Sequence, residues 1–172
     1  MEQVTSSDIT AFMRQQQARD LVSETTLQLN AGNWAGFLEL CDASAFVYSI
    51  INYSPEIKKV QCWMKQDFPG LSALLNMLPK HNSDRGQLTR HAMPVRVTGN
   101  ATHDRFEVIS HVVVYRTEWD AEDAHLQSGA TSLYVVGRYI DQVALTANGA
   151  RLCARVMDLE TRQVGIGSHH IL

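Results

Sequence analysis

FEVISHVVVYRTEW (residues 106–119), TSLYVVGRYIDQVA (residues 131–144) and ARLCARVMDL (residues 150–159) are the three runs whose reading decides the fold. The first two are dense in Val, Ile, Tyr and Phe, and wound as helices they would bury Glu or Arg in their apolar stripe. They are predicted as long strands. Asn148-Gly149 stands between the second and third runs, and a dipeptide that tolerates positive φ at both central positions is a strong hairpin signal. The last two strands are therefore expected to be antiparallel.

Period-two alternation along residues 106–119 puts Phe106, Val108, Val112 and Val114 on one face and Ile109, Val113, Tyr115 and Trp119 on the other. Neither face is polar, so both need cover. The chain's own helices can supply one cover. A second protein chain is the simplest source of the other, because soluble monomers rarely leave a large apolar patch exposed.

The 172 residues suit one domain spanning 1–172, long enough to bury a core without disulfide or metal staples. A net charge of -3, with Lys and Arg scattered, gives no electrostatic footprint for nucleic acid or an anionic membrane. The opening MEQVTSSDIT has no basic and then apolar leader pattern, and no run approaches the roughly 20 apolar residues of a membrane span. A cytoplasmic location is expected. Cys41, Cys62 and Cys153 are widely spaced within apolar patterns and read as buried, reduced thiols. Only Cys153, between Arg151 and Arg155 and on their face by alternation, has neighbours that could activate it as a nucleophile.

Upstream, Ser7 and Asp8 can cap a helix over residues 9–29, and Asn33 can cap a shorter one over residues 34–41. Residues 45–51 (AFVYSII) read as a first strand. Ser54-Pro55-Glu56 reads as the start of a helical turn, and residues 60–64 lean to strand. The leucines at 71, 74, 75 and 78 predict a helix over residues 68–78 closed by Pro79. Residues 81–87 and 120–129 read as polar loops. Residues 88–98 read as a strand that Pro94 marks as an edge or bulged one. Helices followed by one strongly curved, mixed but mostly antiparallel sheet describe an α+β cone of the cystatin-like (nuclear-transport-factor-2-like) kind, with the N-terminal helices packed inside it.

The ordered set of LVSETTLQLNAGNWAGFLELCD, Thr89-Arg90-His91, VVVYRTE with Arg116, and VVGRYIDQVAL with Gly137-Arg138 followed by ARVMDLE resembles the small (β) subunits of aromatic-ring-hydroxylating dioxygenases, the Rieske non-haem iron oxygenases. Tyr53-Ser54-Pro55-Glu56-Ile57 is similar to the methanesulfonate monooxygenase branch of small subunits, and the tail from Gly165 to His170 departs from the aromatic members. The resemblance leaves the substrate open between aromatic compounds and a sulfonate. It implies a cytoplasmic hetero-oligomer, often three large and three small subunits. The large (alpha) subunit would carry the Rieske 2Fe-2S cluster and mononuclear Fe(II), and the small one would be mainly a scaffold.

The residue chemistry agrees with a metal-free scaffold. A Rieske centre takes two Cys and two His in close pairs, and none of the three cysteines has a His two or three residues on. Of the histidines that could build a mononuclear iron site, His81, His103 and His125 read as surface loop residues, and His111 as a hydrogen-bonded core or interface residue. His91 reads as a structural or contact residue. His169-His170 point opposite ways on an extended tail, which favours docking over chelation. Trp34, Trp63 and Trp119 read as core or interface anchors. No catalytic, cofactor-binding or metal-binding residue is assigned. A stand-alone isomerase or dehydratase is the rival reading, its pocket drawn from Tyr48, His91, Arg116 and Tyr139 in the cone's mouth. A homo-oligomeric small-molecule binding module is the third.

Overall fold

Residues 5–81, 86–100, 104–118, 129–164 and 171–172 are described by the computed structural model of the chain. In chain order they form α1 (Ser6–Asn30), α2 (Trp34–Leu40), β1 (Val47–Ser54), β2 (Lys59–Asp67), α3 (Phe68–His81), β3 (Gln87–Asn100), β4 (Arg105–Thr117), β5 (Thr131–Thr146) and β6 (Gly149–Leu159). The six strands make one sheet in the order β2-β1-β6-β5-β4-β3. Only the β1 and β6 pair is parallel, so the sheet is mixed and mostly antiparallel, as expected. Each antiparallel ladder carries a register shift, at Ile50/Ile51, Pro94/Arg96, Val114/Tyr115 and Gln142/Val143. Bulges of this kind add local twist, and four of them curl the sheet around α1 into a cone.

Burial follows the curl. Along β4, Phe106, Val108, Ser110, Val112 and Val114 point inward and are buried, while Ile109, Val113 and Tyr115 face out with Glu107 and His111. The inner side chains meet Ala18, Leu21, Val22 and Leu29 of α1, Phe37 of α2, and Leu71 and Leu75 of α3. Each such large aliphatic or aromatic side chain contributes about 1.5–3 kcal/mol on burial.

The structure moves several expected boundaries. Thr5, rather than Ser7 or Asp8, caps α1, and Asp8 is the reciprocal member of the capping box. Ile9 and Phe12 are exposed, and the fully buried residues of α1 begin at Ala18. No helical turn starts at Ser54. Residues 55–58 form the turn of the β1–β2 hairpin, with Lys58 at φ 52, since a proline's fixed φ suits a turn as well as a helix start. Pro79 does not close α3, which runs on to His81, so His81 ends a helix instead of lying in a loop; so near the C-terminus a proline forfeits a single helical bond. The β5–β6 turn holds positive φ only at Gly149, where φ is 100, so one glycine supplies the reversal instead of a dipeptide. β3 is an edge strand bulged beside Pro94, as its proline predicts. Trp119, the bulk of the polar segment after it, and His103, His125, His169 and His170 lie outside the described residues.

Candidate functional site

β5 and β6 place Asp141 and Arg155 opposite each other on the inner face, where both side chains are wholly inaccessible. Arg155 Nε donates to Asp141 Oδ1 at 2.8 Å and its Nη2 to Oδ2 at 2.8 Å. Nη2 also donates to Thr25 Oγ1 on α1 at 2.8 Å, and the guanidinium carbon lies 4.0 Å from the centre of the Tyr139 ring. Burial alone would lower the arginine's pKa, but the Asp141 carboxylate outweighs it and holds Arg155 above its ordinary value. Burial pushes the Tyr139 and Tyr48 phenols up, so both stay neutral.

Arg90 makes a second buried node. Its Nη1 donates to Leu29 O at 3.3 Å and Leu88 O at 3.4 Å, and its Nη2 to Ile171 O. Leu29 is in the last turn of α1, which carries no basic residue of its own, so Arg90 supplies from β3 the cation that a helix C-terminus favours. Asn30 completes the joint: its amide donates to Arg90 O at 2.9 Å and its carbonyl accepts from Arg90 N at 2.8 Å. Tyr48 Oη holds the other buried end, donating to Leu172 O at 3.1 Å and accepting from Leu172 N at 3.0 Å. Ile171 and Leu172 thus sit buried in the cone, and a cavity of about 330 Å³ is left at its mouth beside Leu29, Trp34, Leu78 and Arg90.

The pocket expected of the rival enzyme does not assemble. Tyr48 and Tyr139 reach the interior, but His91 is exposed on the outer face, edge-on to Tyr115 at 5.8 Å. Arg116 is half-buried and pairs with Glu118 at 2.7 Å. His111 is exposed on β4 and not in the core. Cys62 is exposed on the edge strand β2, against the expectation of burial; Cys41 and Cys153 are buried. The bulge opposite Gln142 and Val143 breaks alternation at Cys153, so Arg155 turns inward without it. The arginine beside its sulfur is Arg105, at 3.1 Å, and burial still raises the thiol. Among the described residues no three His, Cys, Asp or Glu side chains gather as a metal site would require.

Ser110 and Asp141 were passed over in the sequence, and Arg155 was read only as a neighbour of Cys153. The signal was phase: Asp141 falls in register with the inward Val135, Gly137, Tyr139 and Val143. The stretches that carry the resemblance do structural work here. Arg90 joins three elements, Arg155 closes the buried ion pair, and at Gly137 an added Cβ would stand 2.5 Å from Asp158 O of the neighbouring strand.

The outer face offers the other candidate surface. Ile109, Val113, Val136, Ile140 and Val156 lie half-buried across β4, β5 and β6. Glu107 with Gln142 at 3.1 Å borders the row of Ile109, Ile140 and Val156, and His111 with Arg138 and Asp158, the last two 2.6 Å apart, crosses between that row and Val113 and Val136. No described helix packs over this stripe.

A curled mixed sheet around one long helix is the cystatin-like cone. It superposes with a TM-score of 0.63 on an NTF2-like protein with a cystatin-like fold from Novosphingobium aromaticivorans, at 15% identity over 94% of each chain. It superposes with a TM-score of 0.74 on a β subunit described as that of an aromatic-ring-hydroxylating dioxygenase from the same organism, at 20% identity over 90% of this chain and 94% of that one. In sequence it is 32% identical to the methanesulfonate monooxygenase hydroxylase β subunit of Methylosulfonomonas methylovora, over 88% of this chain and 83% of that protein. It is 35% identical to the 2-aminobenzenesulfonate 2,3-dioxygenase β subunit of an Alcaligenes species, over 82% and 87%. No protein-family model matches the chain. The chain belongs to the family of β subunits of multicomponent ring-hydroxylating oxygenases.

Proposed function

We propose that this chain is the non-catalytic assembly subunit of a cytoplasmic Rieske-type oxygenase. It associates with itself, as a trimer, and with an iron-bearing large subunit. The observation that carries the reading is the half-buried apolar stripe of Ile109, Val113, Val136, Ile140 and Val156, which no described element covers. The interior supports a scaffold more than an enzyme. Its buried carboxylate is held by Arg155 on both oxygens, and Ile171 and Leu172 are packed inside the cone.

The donor set does not fit the iron groups of such a complex. Cys41 and Cys153 are buried, whereas His91 and His111 stand exposed on the opposite face of the sheet. The cluster and the mononuclear iron therefore belong to the large subunit in this proposal. Both sequence relatives are subunits of enzymes named for sulfonates, which favours a sulfonated substrate for the assembled oxygenase.

Co-expression with the large subunit, followed by size exclusion and iron analysis, tests this. Iron should elute only with the complex, and Ile140→Asp should abolish self-association while the chain stays folded. A metal-free monomer indifferent to the large subunit would refute the proposal.

A further inference from the structure

The β1–β2 hairpin exposes large apolar side chains on two adjacent strands beside an unpaired edge; the opposite edge does so as well, through Met93 and Val95 of β3 and Tyr115 of β4, but only the β2 edge carries lysines. Tyr53, Ile57, Val60 and Trp63 are 51%, 55%, 61% and 41% exposed. Tyr53 and Val60 are direct cross-strand partners, and Cys62, facing half-buried Ile51, continues their face. β2 lies at the end of the sheet, so the backbone groups of Lys59–Asp67 that point away from β1 have no strand partner among the described residues.

The charge of this hairpin differs from that of the chain. The whole sequence carries -3, yet three of its four lysines, Lys58, Lys59 and Lys65, fall here. None forms an ion pair among the described residues. Both acids of the hairpin are engaged: Glu56 with Arg162 at 2.5 Å, and Asp67 as the acceptor for Gly70 N at 2.9 Å. Lysines on an edge strand commonly guard it against chance pairing. Guarding does not account for Trp63, Val60 and Tyr53 beside them, since a guarded edge gains nothing by exposing large apolar side chains.

We infer that the free edge of β2 docks an extended segment of the large subunit by strand addition, the incoming strand bearing acids opposite Lys59 and Lys65 and apolar side chains against Val60 and Trp63. In this mode main-chain hydrogen bonds supply affinity, and alternate side chains set the partner. The inference rests on the assembly reading above and deepens it by assigning the large subunit a surface separate from the self-association stripe.

The test uses the full chain co-expressed with its large subunit. Lys59→Glu with Lys65→Glu, and separately Trp63→Ser, should each lower the large subunit retained at a given salt concentration by about tenfold or more. Self-association and Tm should stay unchanged, because all three side chains are exposed. Amides of residues 59–67 should gain hydrogen-exchange protection in the wild-type complex, a readout that needs no variant. Full retention of the large subunit by both variants, or no gain in protection, overturns the inference. So does loss of self-association with the large subunit still bound, which would make a second copy the occupant. A wild-type chain that never binds the large subunit refutes the assembly reading itself, and that result is visible before any variant is made.

Discussion

Arg155 and Asp141 face each other across β5 and β6 with both carboxylate oxygens 2.8 Å from guanidinium nitrogens and neither side chain reaching solvent. The pair ties two strands to Thr25 of the central helix, so its loss is felt in the centre of the cone. Asp141→Asn leaves Arg155 buried without a counter-charge, and the expected cost is about 3–5 kcal/mol in urea unfolding. The double change Asp141→Leu with Arg155→Met removes both charges and should cost less than the single change. A single variant within about 1 kcal/mol of wild type would show that the pair does not hold the cone.

Gly137→Ala places a Cβ 2.5 Å from Asp158 O and 3.1 Å from Leu159 Cα, both backbone atoms that cannot rotate away. The strands must separate locally, at an expected cost of about 1–3 kcal/mol. Thermal unfolding of the single variant reads this directly, and an unchanged Tm contradicts the close strand approach.

The three thiols should react in two classes. Cys62 is exposed on β2, while burial pushes Cys41 up to about 12 and raises Cys153 as well. One equivalent of a maleimide should add quickly to the native chain, and mass spectrometry should place it at Cys62. Cys62→Ser removes that fast phase; a fast phase surviving in this variant contradicts the burial of the other two.

Glu56 accepts from Arg162 and Ser54, and its carboxyl is held at about 2, below the ordinary value of 4.5. A depressed carboxyl stabilises the folded chain above its unfolded pKa, and that contribution fades as pH falls from about 4.5 toward 2. Arg162→Gln should therefore return the Glu56 carboxyl to the ordinary range in an NMR titration, with little effect near neutral pH because both groups are exposed. A titration midpoint near 4.5 in the wild-type chain would show that the contact does not form in solution.

Tyr48→Phe removes the hydroxyl that both donates to Leu172 O and accepts from Leu172 N. Those buried backbone groups lose their partner, for an expected cost of about 1–3 kcal/mol and faster hydrogen exchange at the Leu172 amide. Unaltered exchange there would mean that the residue is held by its apolar contacts alone.

Much of the cone could be read from residue pattern because its strands are long and locally consistent. β4, β5 and β6 announce themselves through β-branched runs, and Pro94 marks its own bulge on an edge strand. Boundaries shifted where one local signal serves two structures. Ser54-Pro55-Glu56 suits a helix start and a turn equally, and only pairing between β1 and β2 selects the turn. Cys62 lies in an apolar pattern yet is exposed, because an edge position is a property of sheet order, which alternation does not encode.

The sequence by itself determined an α+β chain with N-terminal helices, long antiparallel strands, and apolar residues on both faces of β4 and β5. Those features follow from propensity and periodicity, which act between near neighbours. Only the tertiary structure decided which polar residues meet inside the cone, that Arg90 caps α1 from β3, and that Cys153 parts from Arg155. Bulges set these outcomes: a one-residue slip in a ladder reverses every side chain beyond it, and where a slip occurs depends on strands far apart in sequence.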